Sequence, residues 1–179
     1  LLCAGITMYS PLKHWGVAAG MRVGIIGVGG LGHMGIKLAH AMGAEVSALT
    51  RNASKADVAK EYGATHVVVS KDEVQMAKFA QYFDVLIDTA PGAHDITPYI
   101  DLLKLDGSLV MVGPIQTTFS FVASDLMAKR RSIAGSSIGS IAETIEMLAF
   151  CVKHDLHSTT EVIKPVQIQE AWDAMMASK

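Results

Sequence analysis

The residues best suited to chemistry lie in Gly27-Val28-Gly29-Gly30-Leu31-Gly32, directly after the apolar run Val23-Gly24-Ile25-Ile26. Gly27, Gly29 and Gly32 satisfy the G-x-G-x-x-G spacing of a dinucleotide-binding turn. The first glycine permits a tight turn, the second lets a pyrophosphate approach the backbone, and the third lets the next helix lie close to the strand. Free N–H groups at the positive end of that helix then face the phosphates. A ligand-free glycine turn is the plain alternative. The run before it, the helical pattern after it and a second strand about 20 residues on supply the context a dinucleotide site requires.

The end of the second strand discriminates between nicotinamide cofactors. A site for NAD places Asp or Glu there to accept from the ribose 2′-OH. This chain has Thr50-Arg51-Asn52-Ala53-Ser54-Lys55, without an acid. Thr50 offers a hydroxyl, and Arg51 and Lys55 offer charge-assisted donors to a 2′-phosphate, so NADP is the expected cofactor. A solvated turn, with Ser54 capping the next helix, is the other use of these residues.

The remaining polar residues carry less. His154 and His157 lack the further ligands a metal needs and suit a solvated helix end. His33, in the first turn after the glycines, either touches a phosphate or packs. Asp84 and Asp88 share a strand face but stand about 13 Å apart, too far to share a proton. Cys151, with Ile145 and Leu148 on the apolar side of its helix, reads as an inert core thiol. Cys3, on its own, reads as a small buried hydrophobe.

Elements to hold the glycine turn are plain in the pattern. Arg22–Ile26, Glu45–Leu49, Thr65–Val69, Asp84–Ile87 and Ser108–Val112 have the length and β-branched content of buried strands. Leu31–Met42, Ala53–Tyr62, Asp72–Ala80 and Asp95–Leu103 read as the helices between them. After Pro114 the rhythm changes. Thr118–Val122 alternates like an edge strand, Ser124–Lys129 is a short helix and Arg131–Ala134 a short strand. Ala142–His154 and Ile168–Met176 complete the chain as amphipathic helices. The ten methionines sit mostly at positions that fill a core. This alternation predicts an α/β protein: a doubly wound Rossmann fold whose six-stranded, mostly parallel sheet has order 3-2-1-4-5-6 and helices on both faces.

Composition narrows the function classes. Half of the 179 residues are hydrophobic and 18% are charged, which excludes a disordered role. Fifteen basic residues against 17 acidic give a net charge of -2, and no footprint for nucleic acid or an anionic membrane. No apolar run approaches the roughly 18 residues of a membrane helix. Leu1–Gly5 has no basic segment ahead of it and does not read as a signal peptide. Two cysteines make no disulfide framework, so a cytoplasmic location is expected. The chain opens on Leu rather than Met, as a piece of a longer protein would.

Several segments together resemble one family. They are Leu2-Cys3-Ala4-Gly5-Ile6-Thr7, the glycine turn extended through His33-Met34-Gly35, Asp88-Thr89, Leu109-Val110-Met111-Val112-Gly113 and Ile133-Ala134-Gly135-Ser136-Ser137-Ile138-Gly139. Across essentially its whole length the chain is similar to the cofactor-binding half of the zinc-dependent alcohol dehydrogenases, among the medium-chain dehydrogenase/reductases. Within them it most resembles the cinnamyl-alcohol-dehydrogenase-like NADP aldehyde reductases.

The resemblance implies roles. Cys3 would be one of three protein ligands of a catalytic zinc, and Thr7 would pack beside the nicotinamide. The glycine turn from Gly27 through Gly29, Gly30, Leu31 and Gly32 would hold the pyrophosphate. Thr89 and Ala90 would line the adenosine–ribose side. Val112, Gly113, Ser136, Ser137 and Ile138 would bind the nicotinamide ribose and carboxamide, with Ile138 also bordering the substrate.

The other zinc ligands, the proton relay, a structural zinc lobe and a closing strand after Met176 are absent from this sequence. The expectation is therefore a single dinucleotide-binding domain, residues 1–179, that binds cofactor and holds no catalytic residue of its own. One cysteine cannot build a tetrahedral zinc site. The intact enzyme would exchange hydride between NADP(H) and an alcohol or aldehyde. Phe119, Phe121, Ile133 and Ile138 near the sheet edge suggest a homodimer through roughly Thr118–Val122 and Ser132–Ile138. Two alternatives remain open: a zinc-free quinone reductase of the same superfamily, and a dinucleotide sensor without chemistry.

Overall fold

The computed structural model describes residues 1–113 and 118–176. Six strands are joined by helices: β1 Arg22–Ile26, β2 Glu45–Thr50, β3 His66–Val69, β4 Phe83–Asp88, β5 Leu103–Met111 and β6 Ser132–Gly135. They form one sheet in the order β3-β2-β1-β4-β5-β6, and every pair is parallel. Both faces of a parallel sheet must be covered, and the strand sequences show it. Ile25, Ala48, Ile87 and Val110 face one core with Met34, Leu38 and Met147; Ile26, Leu49, Leu86 and Leu109 face another with Met76, Ile96 and Ile100.

The first core is roofed by α1 Ala4–His14, α2 Gly30–Ala41 and α7 Ile141–Lys153. Between α2 and α7 come α3 Ala56–Glu61, α4 Glu73–Ala77, α5 Thr97–Ile100 and α6 Ala123–Met127, and α8 Ile168–Met176 follows. Side chains clasp α1 to α7: Tyr9 and Lys13 donate to Glu146, and Ser10 donates to Glu143 at 2.8 Å. A reciprocal Ser140–Glu143 box caps α7.

The sequence pattern misplaces several elements. Thr118–Val122 is not a strand: it pairs with none of the six, and the strand beside β5 on its outer side is β6. Asp95–Leu103 shrinks to the single turn of α5, because Leu103 enters β5 instead. Helix α1, with Pro11 inside it, was not expected. Cys3 is exposed rather than buried, since it stands at the N-cap of α1. Cys151 is buried and lies 3.5 Å from the Met147 sulfur, but Ile145 points outward and is 64% exposed. The change of rhythm at Pro114 lies outside the described residues.

Candidate functional site

The glycine turn sits where the sheet order reverses, between β1 and β4 at their carboxyl ends. Two of its glycines have no substitute. Gly27 has φ +94°, and a Cβ there would lie 2.8 Å from Thr89 Oγ1. A Cβ on Gly32 would lie 1.9 Å from the Gly27 carbonyl oxygen, so helix α2 rests directly on the turn. Gly29 and Gly30, by contrast, have nothing within 4 Å of an added Cβ. The turn is packed beneath and open above, which leaves a cradle the backbone alone lines. No side chain caps α2 and no acid occupies its first turn. Its first N–H groups therefore point outward without an acceptor, the arrangement that binds anions.

Some of the other expected residues touch this turn, directly or through a neighbour. Thr89 donates its hydroxyl to the Ile26 carbonyl at 2.7 Å, tying the end of β4 to the end of β1. Lys55 reaches from the β2 end to donate to the Val28 carbonyl at 3.2 Å, so the acid-free turn and the glycine turn touch. Arg51 is exposed at the mouth, whereas Thr50 is only 8% exposed. Asn52, not Ser54, caps the turn, by accepting from the Ser54 N–H at 3.1 Å. Val112 and Gly113 both donate backbone N–H groups to the Asp88 carbonyl, at 3.0 and 3.1 Å. Ser136 N–H donates to the Met111 carbonyl at 3.0 Å, Ser137 is exposed, and Ile138 is 56% exposed with φ +57°. A left-handed β-branched residue is strained. Thr7 is buried in α1.

Other sequence candidates fall elsewhere. His33 packs its ring 5.6 Å from Tyr62, and burial holds it below the usual histidine range. His154 ends α7 stacked on Phe150 at 4.3 Å, and the His157 carbonyl accepts from Lys37. Asp84 lies at the far end of β4, where it accepts from the Arg22 N–H and pairs with Lys104. Among the described residues no group of three His, Cys, Asp or Glu stands close enough to hold a metal ion, and Cys3 belongs to no such group. Sequence reasoning missed the role of Asp88. The residue is fully buried at the end of β4, with Oδ1 accepting from the Ala90 N–H at 3.0 Å and Oδ2 2.9 Å from His94 Nε2. Its apolar run hid it, because nothing local announces a partner six residues on.

Residues 30–153 match a protein-family model described as zinc-binding dehydrogenase. Aldehyde reductase YahK of Escherichia coli is 48% identical over 177 residues, 98% of this chain and 51% of that protein. NADP-dependent alcohol dehydrogenase C 1 of Mycolicibacterium smegmatis is 44% identical over 178 residues, 99% of this chain and 51% of its own length. Among solved structures, a cinnamyl alcohol dehydrogenase of Sorghum bicolor superposes with TM-score 0.95 at 34% identity, over 99% of this chain and 51% of that one. A cinnamyl alcohol dehydrogenase from Helicobacter pylori, complexed with NADP(H), gives TM-score 0.89 at 37% identity, over 100% of this chain and 51% of that one. The chain thus spans about half the length of the curated relatives it matches.

Proposed function

The chain belongs to the zinc-binding dehydrogenase family, and from that premise we propose that it is the dinucleotide-binding domain of a larger NADP-dependent alcohol dehydrogenase or aldehyde reductase. The observation that carries the reading is the cradle: a turn packed from below through Gly27 and Gly32, open above Gly29 and Gly30, at an uncapped helix end. The Mycolicibacterium smegmatis relative named as NADP-dependent and the Helicobacter pylori structure complexed with NADP(H) support the choice of cofactor.

Each group of residues has a task in this reading. Backbone N–H groups of Gly30, Leu31 and Gly32 hold the pyrophosphate. Arg51 and Lys55 take the 2′-phosphate, and the absence of an acid beside them avoids repulsion. Thr89 and Ala90 line the adenosine side, while Thr7, Val112, Gly113, Ser136, Ser137 and Ile138 border the nicotinamide. NADP(H) held there would supply hydride to a carbonyl carbon, or take it from an alcohol carbon, with the oxygen gaining or losing a proton in step. Cys3 is one thiol, and one ligand does not make a zinc site. In this reading it would share zinc with ligands outside these residues.

The same reading includes a homodimer through the free edge of β6, without the Thr118–Val122 segment, and a cytoplasmic location. Both cysteines are free thiols, and among the described residues no helix is long and apolar enough to cross a membrane. A fluorescence titration with NADPH and NADH tests the cofactor assignment. The expected result is tighter NADPH binding that Arg51→Ala weakens by roughly 1.5–3 kcal/mol, about tenfold to a hundredfold. Equal affinity for both cofactors would overturn the 2′-phosphate reading, and binding of neither would overturn the site.

A further inference from the structure

Asp88 joins two turns that the proposed cofactor must touch. Its carbonyl accepts from Val112 and Gly113, and its side chain accepts from Ala90. The turns also meet directly, since a Cβ on Gly113 would lie 2.5 Å from the Ala90 carbonyl oxygen. Asp88 has no exposed surface, and a buried carboxylate needs a partner. Among the described residues the ionisable partner within reach is His94, on the loop that carries Ala90 toward α5. Its Nε2 lies 2.9 Å from Asp88 Oδ2, at angles that fall short of a hydrogen bond, and both atoms are sealed from solvent. The ring is fixed on its other side: Nδ1 is 2.8 Å from the Gly92 carbonyl, and Tyr99 and Phe119 meet it edge-on at 6.0 and 6.1 Å.

A carbonyl only accepts, so Nδ1 carries a hydrogen toward Gly92. The contact between Nε2 and Oδ2 then needs a second proton, on the ring or on the carboxyl. Without it two lone pairs would face each other in a dry site. We infer that His94 is a positioning residue: through a proton shared with Asp88 it neutralises the buried carboxyl and holds the Thr89–Ala90 and Val112–Gly113 turns in the shape that receives the dinucleotide. Burial pushes the Asp88 carboxyl above its usual range, against the pull of the Ala90 N–H and His94. The other ionisable groups around the pair are Tyr99 on α5, Arg51 beyond β2 and Asp95 beside His94. The inference rests on the cofactor reading for its purpose, but not for its geometry.

The test compares wild type, His94→Ala, His94→Gln and the double variant His94→Ala/Asp88→Asn in NADPH titrations, with amide exchange measured in the cofactor-free protein. His94→Ala strands a bare carboxylate and is expected to weaken NADPH roughly tenfold. Amide exchange at Ala90, Val112 and Gly113 should speed up in parallel. His94→Gln keeps a donor toward Oδ2 and loses less. The double variant removes the stranded charge and regains most of the lost affinity, a reversal that a space-filling ring cannot produce. Additive losses, or unchanged exchange at those amides, would overturn the inference. If wild type binds no dinucleotide, the cofactor reading fails by itself, and the exchange rates still decide whether the pair holds the turns.

Discussion

The half of the molecule around β1, β2 and β4 and the part beyond Val110 are built to different standards. Between Ile6 and Val110 most strand residues are buried, and both cores lie almost wholly there. Beyond Val110 only Met147 and Cys151 are buried hydrophobics among the described residues. Ile141, Val152, Val162 and Val166 are 82 to 97% exposed. The cradle belongs to the first region, where packing fixes its backbone. The segment Ser136–Ile138 belongs to the second, where a strained residue stands largely in solvent. With that segment bordering the nicotinamide, as proposed above, cofactor binding would join a rigid floor to a weakly supported wall.

Core truncation should separate the regions most strongly. Leu86→Ala, with no exposure to lose, is expected to cost about 3 kcal/mol by urea denaturation. Val162→Ala, at 97% exposure, should change stability by no more than about 0.5 kcal/mol. Comparable costs would erase the contrast. Next comes the floor itself: in Gly32→Ala the added methyl collides with the Gly27 carbonyl. NADPH titration should show roughly tenfold to hundredfold weaker binding, from about 1–3 kcal/mol of overpacking.

The wall should respond with the opposite sign. Ile138→Gly relieves a left-handed backbone and is expected to raise stability by about 1 kcal/mol. A loss instead would show that the side chain packs more than it strains.

The smallest effect concerns the clasp between α1 and α7, which crosses from one region to the other. Lys13 and Tyr9 hold the Glu146 carboxyl below its usual range, and burial with Glu146 nearby pushes Tyr9 up to about 12. A lowered carboxyl stabilises above its unfolded value and loses that contribution as pH falls through the folded one. A raised tyrosine stabilises below its unfolded value, 10.0, and loses that contribution as pH rises through about 12. Urea midpoints across pH should fall at both ends, and Glu146→Gln should flatten the acid limb.

Much of the first region was readable because its signals are local. Arg22–Ile26 matches β1 residue for residue, the glycine turn announces itself by spacing, and strand order follows from the alternation. The misreadings arise where a long-range partner decides. Thr118–Val122 alternates well but pairs with no strand of the sheet. Helix α1 hides behind Gly5 and Pro11, and forms because Ile6, Met8 and Leu12 pack into the first core. The Asp88–His94 contact is invisible to periodicity, since it depends on how one loop folds back.

The strand order has a consequence for how the protein is made. β1 pairs with β2 and with β4, so Val23 lies between Val46 and Val85, which the chain delivers at very different times. The β1–β3 and β4–β6 units can each assemble from near neighbours, but the seam between them closes only after a long loop has been ordered. The glycine cradle straddles that seam, through Gly27 on one side and Thr89 on the other. A chain caught with either half alone has a sheet but no cleft. Dinucleotide capture during refolding would therefore time the meeting of the halves, a clock built into the topology.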